Sequence, residues 1–457
     1  MARDTTDLTP IASIEDLVGH IRGGEKPASE FRIGTEHEKF GFYTADLSPV
    51  PYEGERGIRA LLEGMRELNG WDPITDDGRI IGLAGHSGEG AISLEPGGQF
   101  ELSGAPLETI HATCRESNAH LAQVRAVGEK LGIGFLGIGS SPSWTLAETP
   151  KMPKSRYDIM RGYMPKVGTR GLDMMHRTTT IQVNLDFSSE ADMRRKMQVG
   201  MRLQPVASAL FAHSPFTDGR PNGLVSWRSE VWTDVDNQRS GLLPFVFEEE
   251  FGYRDYVEWA LDVPMYFVMR DGRYHDATTV TFRQFMDGAL VGKVPDAVPN
   301  MGDWTNHLST VFPDVRLKRF LEMRGADGGP WRRICALPAY WVGLLYDAAT
   351  LDAVAAMTAD WSFAEVDAMR SAVPRLGFRA PFRDGTVLDI ARQTVKLARQ
   401  GLIARNRLNE DGNDESFFLA PLEEVVARGT TSGEELVRLY EEQWDRQMAA
   451  VFRHVTY

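Results

Sequence analysis

FRIGTEHEKFGFY, residues 31–43, reads as a β-strand that carries two carboxylates, Glu36 and Glu38, on one face. Side chains alternate with period two along a strand, so Thr35, His37 and Lys39 point the other way. Two neighbouring carboxylates repel each other, which implies positive charge between them. The device recurs downstream. In AISLEPGGQFELSGAP, 91–106, Ile92, Leu94, Phe100 and Leu102 form an apolar face. Ser93, Glu95, Gln99 and Glu101 occupy the other, and Pro96-Gly97-Gly98 turns the chain into a hairpin. In TTIQVNLDF, 179–187, Ile181, Val183, Leu185 and Phe187 alternate with Thr180, Gln182, Asn184 and Asp186. RFLEMRGADGGPWRR, 319–333, reads as a fourth strand with Phe320, Glu322 and Arg324 on one face and Leu321 and Met323 on the other.

Any one of these strands is explained by a wet outer face on an antiparallel sheet. Together they concentrate Glu, Gln and Asn with few cations opposite, which is unfavourable unless a bound cation or ligand compensates. A polar sheet face coordinating several Mg²⁺ ions accounts for the pattern. Divalent ions on carboxylates commonly accompany phosphates, and phosphoryl transfer needs cations to neutralise the moving charge. Arg324, Arg332, Arg333, Arg228, Arg239 and Lys39 are the candidates for that role.

Composition narrows the alternatives. The chain has 457 residues, a formal net charge of -14, 42% hydrophobic and 25% charged residues, all ordinary for a globular protein except the acidity. That acidity disfavours a nucleic acid or an anionic membrane surface as main partner. No apolar run reaches the ~18 residues of a membrane helix, and a soluble chain is expected. The N-terminus, MARDTTDLTPIASIEDLVGHIRGG, has neither a basic segment followed by an apolar one nor an Arg/Ser-rich, acid-poor character, so a cytoplasmic address is expected. Cys114 and Cys335 are too few for a zinc site, and the ten histidines include no HExxH. By themselves the cysteines read as two unreactive thiols, and any metal would rest on oxygen ligands, as a hard cation such as Mg²⁺ does. There is no GxxxxGK[ST] and no GxSxG. Gly132 to Gly137 fits GxGxxG but runs into GIGSSPSW instead of opening a helix, so it reads as a buried Gly-rich strand.

Helical periodicity marks 14–21, 58–68, 107–130, 190–213, 335–358, 363–371, 386–401 and 432–452, and strand alternation marks 32–43, 91–102, 178–187, 262–269 and 316–324. Strands interleaved with helices predict an α+β fold, sheet-rich over 25–335 and mainly helical over 336–457. NEDGNDES, 409–416, reads as a mobile surface loop. No repeat and no Pro/Gly/Ser-rich linker divides the chain, so 1–457 is expected to be one catalytic domain.

The strings RIGTEHEKFGF, SLEPGGQFELSGAPLET, YDIMRGYMPKVG, LDMMHRTTTIQVNLDFSSEADM, SPFTDGRPNG, VRLKRFLEMRGADGGPWRR and ALPAYWVGLLYD resemble the plant-type glutamate–cysteine ligase family, also found in proteobacteria, over nearly the whole chain. The resemblance implies a curved antiparallel sheet of glutamine-synthetase-like type whose polar face holds Mg²⁺ and substrates. It implies ATP-dependent joining of L-glutamate to L-cysteine through a γ-glutamyl phosphate, the first step of glutathione synthesis. Carried over residue by residue, Glu36, Glu38, Glu95, Glu101 and Glu322 look like ligands of about two or three Mg²⁺ ions, with Mn²⁺ able to substitute. Gln99, Gln182, Asn184 and Arg333 look like ATP contacts, and Arg324, with Lys39 and Arg332, like the cations facing the transferred phosphate. Arg228, Arg239, Tyr157, Tyr266 and Lys154 are candidates for binding substrate. Cys114 and Cys335 match one disulfide pair of the plant enzymes, leaving a bridge and two free thiols both open; the second plant pair is missing, since His275-Asp276-Ala277 precedes VTFRQF without a thiol. A monomer or homodimer is expected. The competing readings are another carboxylate–amine ligase with a different acceptor, and a catalytically silent binding module.

Overall fold

The alternating segments assemble first into one sheet. The structure, a computed structural model, describes residues 5–457, so Met1 to Asp4 of the N-terminal stretch lie outside the described residues. Nine strands form the sheet: β1 Ile33–Tyr43, β2 Asp72–Asp76, β3 Arg79–Ala84, β4 Ala91–Leu94, β5 Gln99–Ser103, β6 Ile133–Leu136, β7 Thr180–Leu185, β8 Val315–Leu317 and β9 Leu321–Asp327. Their spatial order is β8-β9-β7-β1-β5-β4-β3-β2, with β6 paired to the far end of β1. Every neighbouring pair is antiparallel. β1 is the central strand. Its Glu36 lies opposite Ser103 on one side and Gln182 on the other, and Glu38 lies opposite Glu101.

Two departures from the sequence reading have local causes. The segment read as one strand over 316–324 is a hairpin: Arg316 pairs with Glu322 and Leu317 with Leu321, the chain reversing at Lys318 to Phe320. The β2–β3 hairpin went unread although Asp77-Gly78 supplies its turn; both residues have positive φ, 49° and 74°, the conformation Asp-Gly favours. The Gly-rich segment, by contrast, follows the reading: Ile133–Leu136 within it is strand β6.

The helices that position the site are α1 Ile58–Asn69, α2 Ile110–Leu131, α3 Arg156–Tyr163, α4 Glu190–Leu210, α5 Trp331–Leu345, α6 Ala348–Thr358, α7 Phe363–Leu376 and α8 Val387–Arg405. The single helix expected over 335–358 is the pair α5 and α6, bent by 86°. Asp347 causes the break, because its carboxylate accepts the Thr350 N–H and starts α6 as an N-cap. Among the described residues no single helix is long and apolar enough to cross a membrane. The expected loop over 409–416 is open only in its first part. Glu415 is fully buried, ion-paired to Arg405 and accepting the Ile110 N–H that starts α2.

One apolar cluster runs from Leu17 through Val183, Leu203, Trp341 and Val395 to Val426, joining the inward faces of β7 and β9 to the helices of the C-terminal part. Two glycines let α5 and α8 touch. A Cβ on Gly401 would stand 1.9 Å from the Gly343 carbonyl oxygen, and one on Gly343 would stand 2.2 Å from that of Ala398. Cys114 of α2 and Cys335 of α5 are bridged by a disulfide, which settles the two alternatives in favour of the bond.

Candidate active site

Strand register decides which acids meet. Because Glu36 and Glu38 sit two apart on β1, and Glu101 lies opposite Glu38 on β5, the three project from the same face. With Glu95, at the turn after β4, they line one cavity of about 120 Å³. Gln99, Gln182, Tyr157, Arg228 and Arg324 of the expected set line it too. A smaller compartment of about 40 Å³ adjoins it across Arg228, Trp232, Phe312 and Arg324 and adds Arg370.

Each carboxylate is oriented by its own partners. Glu36 Oε1 accepts from Asn184 Nδ2 at 2.8 Å, and Glu38 Oε2 accepts from the Thr180 backbone N–H at 3.0 Å. Ser93 and Ser103 hydroxyls donate to the two oxygens of Glu101 at 2.6 and 3.0 Å. These bonds fix the groups without neutralising them. Burial, then the charges of Glu95 and Glu101, pushes the Glu38 carboxyl well above its usual range. Burial, then Glu322 and Glu101, raises that of Glu36. The acid wall is therefore short of positive charge, and its donors are hard oxygens, which fits a divalent cation such as Mg²⁺. Among the described residues no three acidic, His or Cys side chains converge into a complete cage. That arrangement suits an ion held by one or two carboxylates and completed by phosphate oxygens.

Glu322 differs from the other acids. It is fully buried and does not line the cavity. Arg316 grips it in bidentate fashion at 2.6 and 2.9 Å, Lys318 approaches to 2.8 Å, and Arg324 also pairs with it. Burial opposes its ionisation, yet Arg316, Lys318 and Arg324 outweigh burial and hold the carboxyl well below the usual range. The reading of few cations opposite the acids fails here, because Arg316 and Lys318 reach Glu322 from across the hairpin. To bind a metal, Glu322 would have to release one of these partners.

Several expected residues are not brought to the cavity. Lys39 lies on the opposite face of β1, fully buried, donating to the Phe100 carbonyl at 3.0 Å; burial brings its ammonium down to about 7. Period two, which put Glu36 and Glu38 in the site, takes Lys39 out. Arg332 is half exposed and paired to Glu424. Arg333 is buried but turned toward the Leu210 carbonyl and Ser432. The successive Arg332 and Arg333 open α5, past the end of the sheet. Arg239 pairs with Asp236 at 2.7 Å, donates to the Thr310 and Pro264 carbonyls and stacks on Tyr266 at 3.9 Å, so Arg239 and Tyr266 brace one another behind the site. Lys154 supports Tyr157, whose hydroxyl donates to the Leu94 carbonyl at 3.0 Å. Asn184 serves Glu36. Gln99 lines the cavity, but its amide is occupied by the Met175 and Thr178 carbonyls and the Gly97 N–H.

The sequence reading missed Arg316, Arg156, Thr180, Trp232 and Phe312, which line the cavity. Arg316 was findable, since VRLKRFLEMR folded as a hairpin sets it opposite Glu322. Trp232 and Phe312 lie outside the regular strands of the sheet and carried no periodic signal. Arg228 donates to the Arg324 carbonyl at 2.9 Å, and Arg324 donates to Gln182 Oε1 at 2.7 Å. Both guanidiniums pack near the Trp232 ring, at 5.8 Å. The cavity thus has an acidic wall facing an arginine wall, a layout suited to a polyanion carried with a divalent cation.

The family model for glutamate-cysteine ligase family 2 matches residues 32–454. The chain is 54% identical over 454 residues to glutamate–cysteine ligase A, chloroplastic, of Oryza sativa subsp. indica, covering 99% of this chain and 90% of that one. It is 55% identical over 443 residues to the chloroplastic glutamate–cysteine ligase of Arabidopsis thaliana, covering 97% and 83%. Among solved structures it is similar to the glutamate–cysteine ligase of Francisella tularensis in complex with AMP, with TM-score 0.55, 12% identity, and 94% and 89% of the two chains covered. That likeness supports the α+β, glutamine-synthetase-like arrangement of antiparallel sheet and helices. The plant relatives are named as chloroplastic, which overturns the cytoplasmic address expected above. Addresses are read by receptors from sorting signals, and the composition of a catalytic chain does not carry them.

Proposed function

The chain belongs to glutamate-cysteine ligase family 2, and from that premise we propose how its cavity works. It is an ATP-dependent ligase that forms γ-glutamylcysteine from L-glutamate and L-cysteine, the first step of glutathione biosynthesis. We assign that activity to residues 1–457 as one catalytic domain, because one apolar core joins β7, β8 and β9 of the sheet to the C-terminal helices.

A carboxylate is a poor acyl donor to an amine, so the γ-carboxylate of glutamate is activated first. Its oxygen attacks the γ-phosphorus of ATP, the bond to the β-phosphate oxygen breaks, and γ-glutamyl phosphate and ADP form. The cysteine amine then attacks the acyl carbon, and phosphate leaves. Arg228 and Arg324 face the transferring charge, and Arg316 and Lys318, through Glu322, hold Arg324 in register. Glu36, Glu38, Glu95 and Glu101 would hold Mg²⁺, or Mn²⁺, whose contribution is to neutralise the triphosphate. The protein supplies position and field without a covalent nucleophile. Tyr157 and Arg156, which line the same cavity, would contact the amino-acid substrates.

The observation that carries this assignment is the opposition of under-neutralised carboxylates to arginines in one cavity. Purified protein given Mg²⁺, ATP and glutamate tests it with a panel of amines. Phosphate release with cysteine, and γ-glutamylcysteine as product, is expected. Release with another amine but not with cysteine would make the chain a ligase of different acceptor.

A further inference from the structure

The strand that carries Arg324 does not run evenly. On β9, Arg324 and Gly325 together stand opposite the single residue Gln182 of β7, since Met323 pairs with Val183 and Ala326 with Ile181. One extra residue on one strand is a β-bulge. Side chains alternate with period two, so residues three apart, such as Met323 and Ala326, would face opposite ways on a regular strand. Both are buried in the same apolar core, and the extra residue is what allows it. The bulge therefore falls at the residue, Arg324, that β9 sends into the reaction cavity.

A bulge interrupts the ladder and leaves backbone groups to be satisfied elsewhere. All four such groups at Arg324 and Gly325 find partners. The Arg324 N–H donates to the Asp314 carbonyl at 3.3 Å, and the Arg324 carbonyl accepts from Arg228 at 2.9 Å. The Gly325 N–H donates to Gln204 Oε1, and the Gly325 carbonyl accepts from the Ser208 hydroxyl, each at 3.0 Å. Gln204 and Ser208 are four apart on α4 and so share the helix face turned to the sheet. Gln204 is 1% exposed, and its amide nitrogen lies 3.7 Å from the Met323 sulfur, which leaves its oxygen for Gly325. A Cβ on Gly325 would stand 2.2 Å from Gln204 Oε1, so the close approach of helix and bulge requires the glycine.

We propose that Gln204 and Ser208 are positioning residues for phosphoryl transfer: by holding the Arg324-Gly325 bulge they aim the Arg324 side chain, and through the Arg324 carbonyl the Arg228 guanidinium, into the reaction cavity. The inference rests on the assignment of those two arginines to the transferring charge. Gln204 lines neither the reaction cavity nor the compartment beside it, and it acts through the backbone it holds; Ser208 borders the smaller compartment. A misplacement of about 1 Å at a group that meets the transition state can cost ~100-fold in rate, so one backbone contact is enough to matter.

Steady-state kinetics of Gln204→Met, which keeps the side-chain length and removes the acceptor, and of Ser208→Ala test it, with Arg324→Ala as the reference. kcat is expected to fall by about tenfold in Gln204→Met and severalfold in Ser208→Ala, with KM for L-cysteine unchanged, because an interaction made in the transition state is weakened. Ser208→Thr, which keeps the hydroxyl, should restore the rate. In the Arg324→Ala background Gln204→Met should cost less than in the wild type, since one of the two groups it aims is gone. Ser208 is half-buried, so Ser208→Ala folds and carries the test even where Gln204→Met does not. Wild-type kcat in Ser208→Ala beside a strongly impaired Arg324→Ala, equal losses in Ser208→Ala and Ser208→Thr, or fully additive losses of Gln204→Met with Arg324→Ala would each overturn the proposal. Wild-type turnover in Arg324→Ala itself would instead remove the arginine assignment, and the proposal with it.

Discussion

Glu322 is a buried and Glu38 a half-buried carboxylate of the central sheet, and replacing each by glutamine should have opposite effects on the fold. Glu322 is surrounded by Arg316, Lys318 and Arg324, and its neutralisation leaves three buried cations around an amide. Breaking a buried ion pair from one side costs about 3–5 kcal/mol. For 457 residues unfolding as a unit, the entropy of unfolding is about 1 kcal/mol per degree. Glu322→Gln should therefore lower Tm by about 3–5 °C. Glu38, by contrast, stands among Glu95 and Glu101 with its carboxyl raised, so Glu38→Gln removes repulsion and should leave Tm unchanged or slightly higher. Its loss should appear in activity, which is expected to fall by ~100-fold or more if its charge helps to hold Mg²⁺ on the triphosphate. Scanning calorimetry of both variants without ligand, beside initial rates of phosphate release, separates the cases. Equal destabilisation of the two variants, or a Glu322→Gln protein as stable as wild type, would refute the charge accounting.

Further outcomes follow from other parts of the structure. Saturating MgATP should raise the Tm of the wild type by about 3 °C, since a ligand at 100 Kd stabilises by about 2.7 kcal/mol, and Glu38→Gln should lose that increment. His307 donates from Nε2 to the Ala260 carbonyl at 2.8 Å while Nδ1 has no hydrogen-bond partner among the described residues, and burial first, with Arg239 contributing, lowers its pKa to about 4. The unfolded chain then binds the extra proton between about pH 6.5 and 4, so stability is whole above that window and lost within it, at about 1.4 kcal/mol per pH unit. Denaturant titrations should show a shallower acid slope in His307→Gln, and an identical slope would remove His307 as a cause. Reduction of Cys114–Cys335, which spans 221 residues, should cost about 2–4 kcal/mol, read as a lower urea midpoint in the reduced protein. Gln99→Leu should strip the Met175 and Thr178 carbonyls and the Gly97 N–H of their partner and lower stability by more than about 2 kcal/mol, whereas an unchanged midpoint would show that water replaces the amide.

Alternation carried most of what the sequence could reveal. Period two set Glu36, Glu38, Glu101 and Gln182 on one face of the sheet, and the register confirms that they share it. The same rule already placed Lys39 on the other face, and the search for a cation to meet the transferred phosphate drew it into the site by charge alone. What alternation cannot express is pairing between strands. Arg316 and Lys318 belong to Glu322 because of a tight reversal at residues 318–320, and reading 316–324 as one continuous strand hid the cations that neutralise it. Side chains from outside the regular strands, such as Trp232 and Phe312, depend on packing across distant segments and left no local trace. Arg332 and Arg333 were plausible by charge alone, and charge alone does not say which way a helix end points.

The central place of β1 also bears on how such a chain tolerates change in length. Inserting or deleting one residue between Ile33 and Glu38 would present Thr35 or His37 where a glutamate stood and bury the acids among Ile110 and Leu121. A change of two residues would restore the facing at the expense of a shift along the neighbouring strands. Length variation among descendants of this sequence should thus respect parity here, while the exposed turn at residues 409–413 is free of any such arithmetic.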